Sequence, residues 1–275
     1  MRLLVQLGAV AVAAFAGSAV VQAVNWNTPL TLVLGFAAAA LVLYVYAFAV
    51  RKTERRAPDE IALKGAGPAF GRGLSIGTGM FAAVILNIAF LGGYEVRGWG
   101  SVSGALALLG FTAAAVVVEE VLFRGVLFRI VEGRIGTWAS LVLTGVLFGA
   151  AHLFNTHATL WGAIAIAVEA GFMLAAVYAA TRNLWVPIGV HFGWNFAQGG
   201  IFGTTISGTD APEGLLDGVT SGPYLLSGGD FGPEASAYSV LAGVVVTVVF
   251  LWIARRRGTI VPARRRGSDA TTLAA

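Results

Sequence analysis

The chain has 275 residues, of which 57% are hydrophobic and 12% charged, with a net charge of +4. Soluble proteins carry about 25% charged residues. This composition therefore excludes a disordered segment, a nucleic-acid module and an ordinary cytosolic enzyme. Cysteine is absent, which removes disulfides, thiolate metal sites and cysteine nucleophiles. The remaining class is an all-α polytopic helix bundle in a lipid bilayer.

Eight apolar runs occur in chain order: 3–24, 29–50, 73–94, 102–128, 137–154, 158–180, 184–203 and 236–254. None alternates with period two, and most approach the roughly 20 residues of a helical crossing. The predicted organisation is three helices in 1–103, a four-helix core in 104–200, an outer loop in 201–235, a last helix in 236–254 and a basic tail in 255–275. With the N-terminus in the cytoplasm, Arg2, Arg51, Lys52, Arg55, Arg56, Lys64, Arg72, Arg129, Arg134 and Arg182 all fall inside. The triplets Arg255–Arg257 and Arg264–Arg266 join them, and Arg97 is the one basic residue outside. Basic loops favour the cytoplasm, so the expectation is eight crossings with both ends inside. The loop 204–235 is rich in Gly, Ser, Thr and Pro, carries Asp210, Glu213, Asp217, Asp230 and Glu234, and reads as flexible. The chain after Arg257 reads as disordered. A competing reading makes residues 1–24 a signal peptide cut after Val21-Gln22-Ala23.

Ionisable groups inside a crossing are expensive and are functional candidates by default. Glu120 and Arg124 are four apart in helical sequence, acid before base, and are expected to pair. Glu119 points elsewhere and has no local partner. A desolvated carboxylate of this kind suits a general base; the competing reading is two glutamates sharing one arginine in a structural network. Gly133–Gly136 offers a turn, and Glu119 and His152 lie equally far from its centre. An antiparallel hairpin of equal rise brings them level, so they are expected to face each other. Phe123 and Phe148 are level by the same arithmetic. On the seventh run His191 and Asn195 share a face and can both donate to a developing oxyanion; the competing reading is an interhelical polar clamp. Glu169 is expected near mid-membrane, supporting the site or pairing toward Arg182. His157, in the outer turn beside Asn155, reads as interfacial, and Gly125 and Gly149 read as packing positions.

Glu119-Glu120-x-x-x-Arg124, Phe148-x-x-x-His152 and His191-x-x-x-Asn195 resemble the three motifs of the CPBP family. That family includes the type II CAAX prenyl endopeptidases and bacteriocin-processing or bacteriocin-immunity relatives. The resemblance covers about 104–200, and Asn183–His191 is similar to bacterial members. It implies an intramembrane endopeptidase in which Glu119 with His152 activates a water and His191 with Asn195 holds the oxyanion. Glu120 and Arg124 would then order the first motif, with Phe148 packed beside the site.

The family is widely labelled metalloprotease, yet there is no His-Glu-x-x-His zinc helix here. A mechanism without metal is the preferred expectation, with a Glu119, His152, His191 zinc set as the alternative. The expected partner is a peptide or membrane-protein substrate in the bilayer, with no nucleic acid. The expected location is a bacterial plasma membrane, and a CAAX substrate is not assumed there. Two other functions stay open: a non-catalytic binding or immunity protein using the same cavity, and a proton-coupled carrier. The absence of an internal repeat argues against the carrier.

Overall fold

The structure, a computed structural model, describes residues 1–263. Helices α1 (Arg2–Ala23), α2 (Thr28–Glu54) and α3 (Ala66–Phe90) come first, before strand β1 (Tyr94–Trp99). Helix α4 (Val102–Glu120) runs through a π-helical stretch, Val121–Phe128, into α5 (Arg129–Ala151). Helices α6 (Leu160–Ile166) and α7 (Met173–Thr181) are joined by π-helical Ala167–Phe172, and α8 (Trp185–Asn195) continues as π-helical Phe196–Ile201. Strand β2 (Leu216–Thr220), the short α9 (Tyr224–Ser227) and α10 (Ala237–Arg256) complete the chain. Side chains start several of these helices. Asn27, Ser101, Thr159 and Ser236 each accept from a backbone N–H three residues on, which satisfies a donor that the helix itself cannot.

Six helices among the described residues are long and apolar enough to cross a membrane. One of them, Val102–Phe154, has 53 residues, about 80 Å of helix against a hydrocarbon core of about 30 Å. It breaks at Gly136, whose φ of 80° and ψ of 167° are not helical, so the fourth and fifth apolar runs are separate rods. The seventh run forms α8 and its π-helical extension, which are shorter and largely buried. Large apolar side chains such as Phe15, Leu86, Phe90, Val142, Leu241 and Trp252 project outward. A surface of that kind is stable in hydrocarbon and would aggregate in water. The protein is an integral membrane helical bundle.

Two features position the core. First, α3 and α8 touch backbone to backbone. A Cβ on Gly77 would stand 1.9 Å from the Val190 carbonyl oxygen, and one on Gly193 would stand 2.5 Å from that of Leu74. Gly73 and Gly189 make equally close approaches. Small residues four apart on both helices permit this packing, and it fixes the helix that carries His191. Second, one end of the bundle is clamped by charge. Arg129 forks onto both oxygens of Glu54 at 2.9 and 2.8 Å and reaches Gln6 at 2.9 Å. Arg56 spans both oxygens of Glu60 at 2.8 and 2.9 Å, and Tyr46 donates to the same carboxylate.

Three expectations change. The bundle is not purely helical, because β1 and β2 pair antiparallel. The stretch 204–235 is folded: β2 lies on β1, and single turns at Gly229–Phe231 and Pro233–Ala235 pack Phe231 and Ala235 into the core. Its glycines serve tight turns at positive φ, such as Gly228, Gly229 and Gly232, and composition alone does not distinguish that use from flexibility. After Arg257, residues up to 263 are held to α5, with Thr137 N donating to Val261 O at 2.9 Å and Val261 N donating to the Thr137 hydroxyl at 2.8 Å. The triplet Arg264–Arg266 lies outside the described residues.

Candidate active site

The site forms where the C-terminal end of α4, the end of α5, the middle of the α6–α7 rod and α8 meet. Arg124 Nη1 donates to Glu120 Oε1 at 2.8 Å, and both side chains are fully buried. Arg124 also donates through Nη2 to the carbonyls of Ala170 and Gly171 at 3.0 and 3.1 Å, and its guanidinium lies 4.5 Å from the Phe148 ring centre. A buried arginine needs such partners, and here they tie α4 to the α6–α7 rod and to α5. Phe148 is the central plate, with the rings of His152 and His191 at 4.8 and 6.0 Å from it.

The two histidines are held differently. His152 Nδ1 lies 2.8 Å from the Phe148 carbonyl oxygen, an acceptor, so Nδ1 carries a proton and Nε2 is left outside that bond. His191 Nδ1 lies 2.9 Å from Glu120 Oε1, which makes it a donor as well. Its Nε2 is 3.7 Å from Glu119 Oε2. The imidazole thus lies between two carboxylates, Glu120 on the Nδ1 side and Glu119 on the Nε2 side.

Glu119 lies beside His191. No hydrogen bond joins it to His152 among the described residues; its Oε2 is buried, without a hydrogen-bond partner, and faces His191. The equal-rise hairpin assumed an ideal α-helix from Glu119 to the turn. The π-helical stretch 121–128 widens the repeat and rotates α4 relative to α5. His152 itself begins a 3₁₀ turn beyond the end of α5, which shifts it again. Glu169 does not pair toward Arg182 either, because Arg182 is engaged by Glu132. Instead Glu169 is buried, and both its oxygens lack a partner among the described residues. His157 lies at the surface, 3.1 Å from Asp210. Gly125 and Gly149 do serve packing: a Cβ on Gly149 would meet the Ala163 carbonyl at 2.3 Å.

His152, Glu169, His191 and Asn195 line one small cavity of ≈ 10 Å³, together with Trp194, Ser207 and Glu234. Sequence reasoning misses Glu234 because its loop has the composition of a flexible one. Its Oε2 accepts from Ser207 N at 2.5 Å and Ser207 Oγ at 2.8 Å, and its Oε1 from Trp194 Nε1 at 3.2 Å. Burial pushes its carboxyl above the usual range, partly opposed by the Ser207 hydrogen bonds and the nearby His152. The three π-helical stretches each adjoin this region: the first holds Arg124, the second contains Glu169 and the third starts directly after Asn195. Such bulges concentrate at functional sites. Among the described residues, no three His, Asp or Glu side chains converge as a metal ligand set. Glu119, His152 and His191 do not fit one as arranged.

Residues 101–197 match the family model described as type II CAAX prenyl endopeptidase Rce1-like. That match covers the segment carrying the three motifs, less than half of the chain. The matched range contains Glu119, Glu120, Arg124, Phe148, His152, Glu169, His191 and Asn195 and omits α1 to α3, the outer loop and α10. The chain is also similar to "Putative membrane peptidase YdiL" of Bacillus subtilis (strain 168), at 30% identity over 79 residues. That match covers 29% of this chain and 30% of the relative. No solved structure matches.

Proposed function

We propose that this protein is an intramembrane endopeptidase that hydrolyses a peptide bond of a membrane-associated protein in a bacterial plasma membrane. The observation that carries the reading is Glu119 Oε2: buried, without a hydrogen-bond partner, and 3.7 Å from His191 Nε2 inside the family-matched segment. An unspent carboxylate beside a polarised histidine is what a water-activating base requires.

In the proposed reaction Glu119 takes one proton from a water, while His152 Nε2 accepts a hydrogen bond from the other and aims its lone pair. The water oxygen adds to the substrate carbonyl carbon. His191 Nε2–H and the Asn195 amide donate to the oxygen that becomes negative, an arrangement worth most where water is excluded. Glu120 holds the His191 ring in place through Nδ1, and Arg124 prevents Glu120 from becoming an uncompensated buried charge. The carbon–nitrogen bond then breaks as the amine gains a proton. No step is assigned to a metal. Eight crossings with both chain ends in the cytoplasm belong to the same proposal, supported by the basic residues Arg51, Lys52, Arg55, Lys64 and Arg72 between the bodies of α2 and α3.

The test is a quantitative comparison of new protein N-termini in host membranes carrying wild type or Glu119→Ala at matched expression. Cleaved ends found only with wild type are expected, and they also name the substrate. Identical termini in both membranes would contradict the enzyme and favour a binding protein that uses the same cavity.

A further inference from the structure

In the proposed hydrolysis Glu119 gains its proton beside the attacking water, and the departing amine needs a proton at its own nitrogen. Glu119 and the two histidines are occupied with the water and the oxyanion. A second group of carboxyls lies in the cavity lined by His152, His191 and Asn195. Glu169, from the middle of the α6–α7 rod, is 1% exposed and has no donor to either oxygen among the described residues. Its backbone is pinned from behind by α10, since a Cβ on Gly243 would stand 2.3 Å from Glu169 Cα. Its side chain therefore cannot retreat on that side and lines the cavity. Glu234 enters the same cavity from the outer loop and is 2% exposed.

The two carboxyls differ in what they are given. Glu234 accepts three hydrogen bonds, from Ser207 N, Ser207 Oγ and Trp194 Nε1, which suits the ionised form. Glu169 accepts none, which suits the neutral acid with its one O–H. Two carboxyls buried in one space cannot both ionise cheaply. The other titratable or charged groups facing this space are His152 and His191. Arg124, beneath it, spends its guanidinium on Glu120 and on the carbonyls of Ala170 and Gly171, so it supplies no cation to Glu169.

We propose that Glu169 and Glu234 form a carboxyl pair holding a single proton, and that Glu169 is the acid that protonates the leaving nitrogen. This rests on the peptidase reading for its chemistry and on the cavity alone for the pair. As the tetrahedral adduct collapses, the carbon–nitrogen bond breaks, its electron pair stays on nitrogen and the Glu169 proton goes there. Glu169 is left ionised, with its charge shared in the pair. Glu119, carrying the proton taken from water, returns it through the cavity, so protons balance over the turnover.

Two measurements separate the pair from its role. The first is the infrared carbonyl stretch of protonated carboxyls in the purified full-length protein in lipid nanodiscs at neutral pH. The band is expected in wild type, lost in Glu169→Gln and shifted in Glu234→Gln. A spectrum unchanged by Glu169→Gln would overturn the pair, whatever the protein catalyses. The second uses a segment that wild type cleaves, synthesised with the scissile amide or with an ester in its place. Glu169→Gln is expected to slow amide cleavage about 100-fold or more and ester cleavage less than about tenfold, because an alkoxide leaves with less need of an acid. Equal losses on both would overturn the acid role and leave Glu169 a structural residue. If wild type cleaves neither, the peptidase reading and the acid role fail together, and the infrared result still decides the shared proton.

Discussion

Two clusters in this molecule contain the same ingredients, and they are finished differently. At the clamped end of the bundle, Glu54 and Glu60 face Arg129 and Arg56, and every carboxylate oxygen has a donor. In the middle, Glu119, Glu120, Glu169 and Arg124 leave five buried atoms without a hydrogen-bond partner: Glu119 Oε2, Glu120 Oε2, both Glu169 oxygens and Arg124 Nε. Leaving a buried polar atom unpaired costs about 1–3 kcal/mol, more when it is charged. Among the described residues, one cluster is saturated and the other leaves buried polar atoms unpaired, which makes the second the candidate site. The saturated cluster holds helices; the open one is available for chemistry.

The largest effect should come from breaking the member that both roles share. Arg124→Ala strands Glu120 in the interior, and removing one partner of a buried pair typically costs about 3–5 kcal/mol. Thermal unfolding in detergent should show a strongly lowered Tm together with lost cleavage. A variant with unchanged Tm would mean that Arg124 does not hold the core. Next, Gly77→Ala places a methyl group 1.9 Å from the Val190 carbonyl. Overpacking of this kind costs about 1–3 kcal/mol. It should also reduce cleavage, because α8 cannot shift without moving His191 and Asn195. Full activity would separate the α3–α8 contact from the site.

Arg129→Ala sharpens the contrast. It should lower Tm by an amount corresponding to about 1–3 kcal/mol while the cleavage rate per folded molecule stays near wild type. A selective loss of rate would assign the clamp a part in the reaction. The smallest effect concerns pH. Burial alone would raise the Glu60 carboxyl, but hydrogen bonds from Arg56 and Tyr46 and the charge of Arg129 outweigh it and hold the carboxyl below its usual range. Its stabilising contribution is therefore complete above the ordinary carboxylate pKa of about 4.3 and is lost as pH falls through that value toward the depressed one. Tm measured downward from pH 7 should fall in that acidic window, and the fall should be shallower in Glu60→Gln. Parallel slopes in the two proteins would exclude Glu60 as the source.

Much of the fold is legible in sequence because it depends on local spacing. Apolar runs bounded by Asn27, Ser101, Thr159 and Ser236 give the helices and their starts. The four-residue interval gives Glu120 with Arg124, and places His191 and Asn195 on one face. The glycine spacing at 73, 77, 189 and 193 is also present as a signal of close packing. The hidden part depends on distant segments or on departures from the ideal helix. Glu120 and His191 are 71 residues apart, and no periodicity joins them. Glu119 lies beside His191, just before a π-helical stretch that nothing in Val121–Phe128 announces. Glu234 lies between turn-forming residues whose composition suits a flexible loop as well as a folded lid.

The most direct test of the open cluster is the rate at which purified Glu119→Gln, in lipid vesicles, cleaves the substrate bond that wild type cuts. The substitution keeps the shape of the side chain and removes its basicity. The account predicts a fall of about 10²–10⁴-fold per folded molecule at an unchanged Tm. A rate within a few-fold of wild type would show that Glu119 is not the base, and that the unpaired atoms at the centre of this bundle have another use.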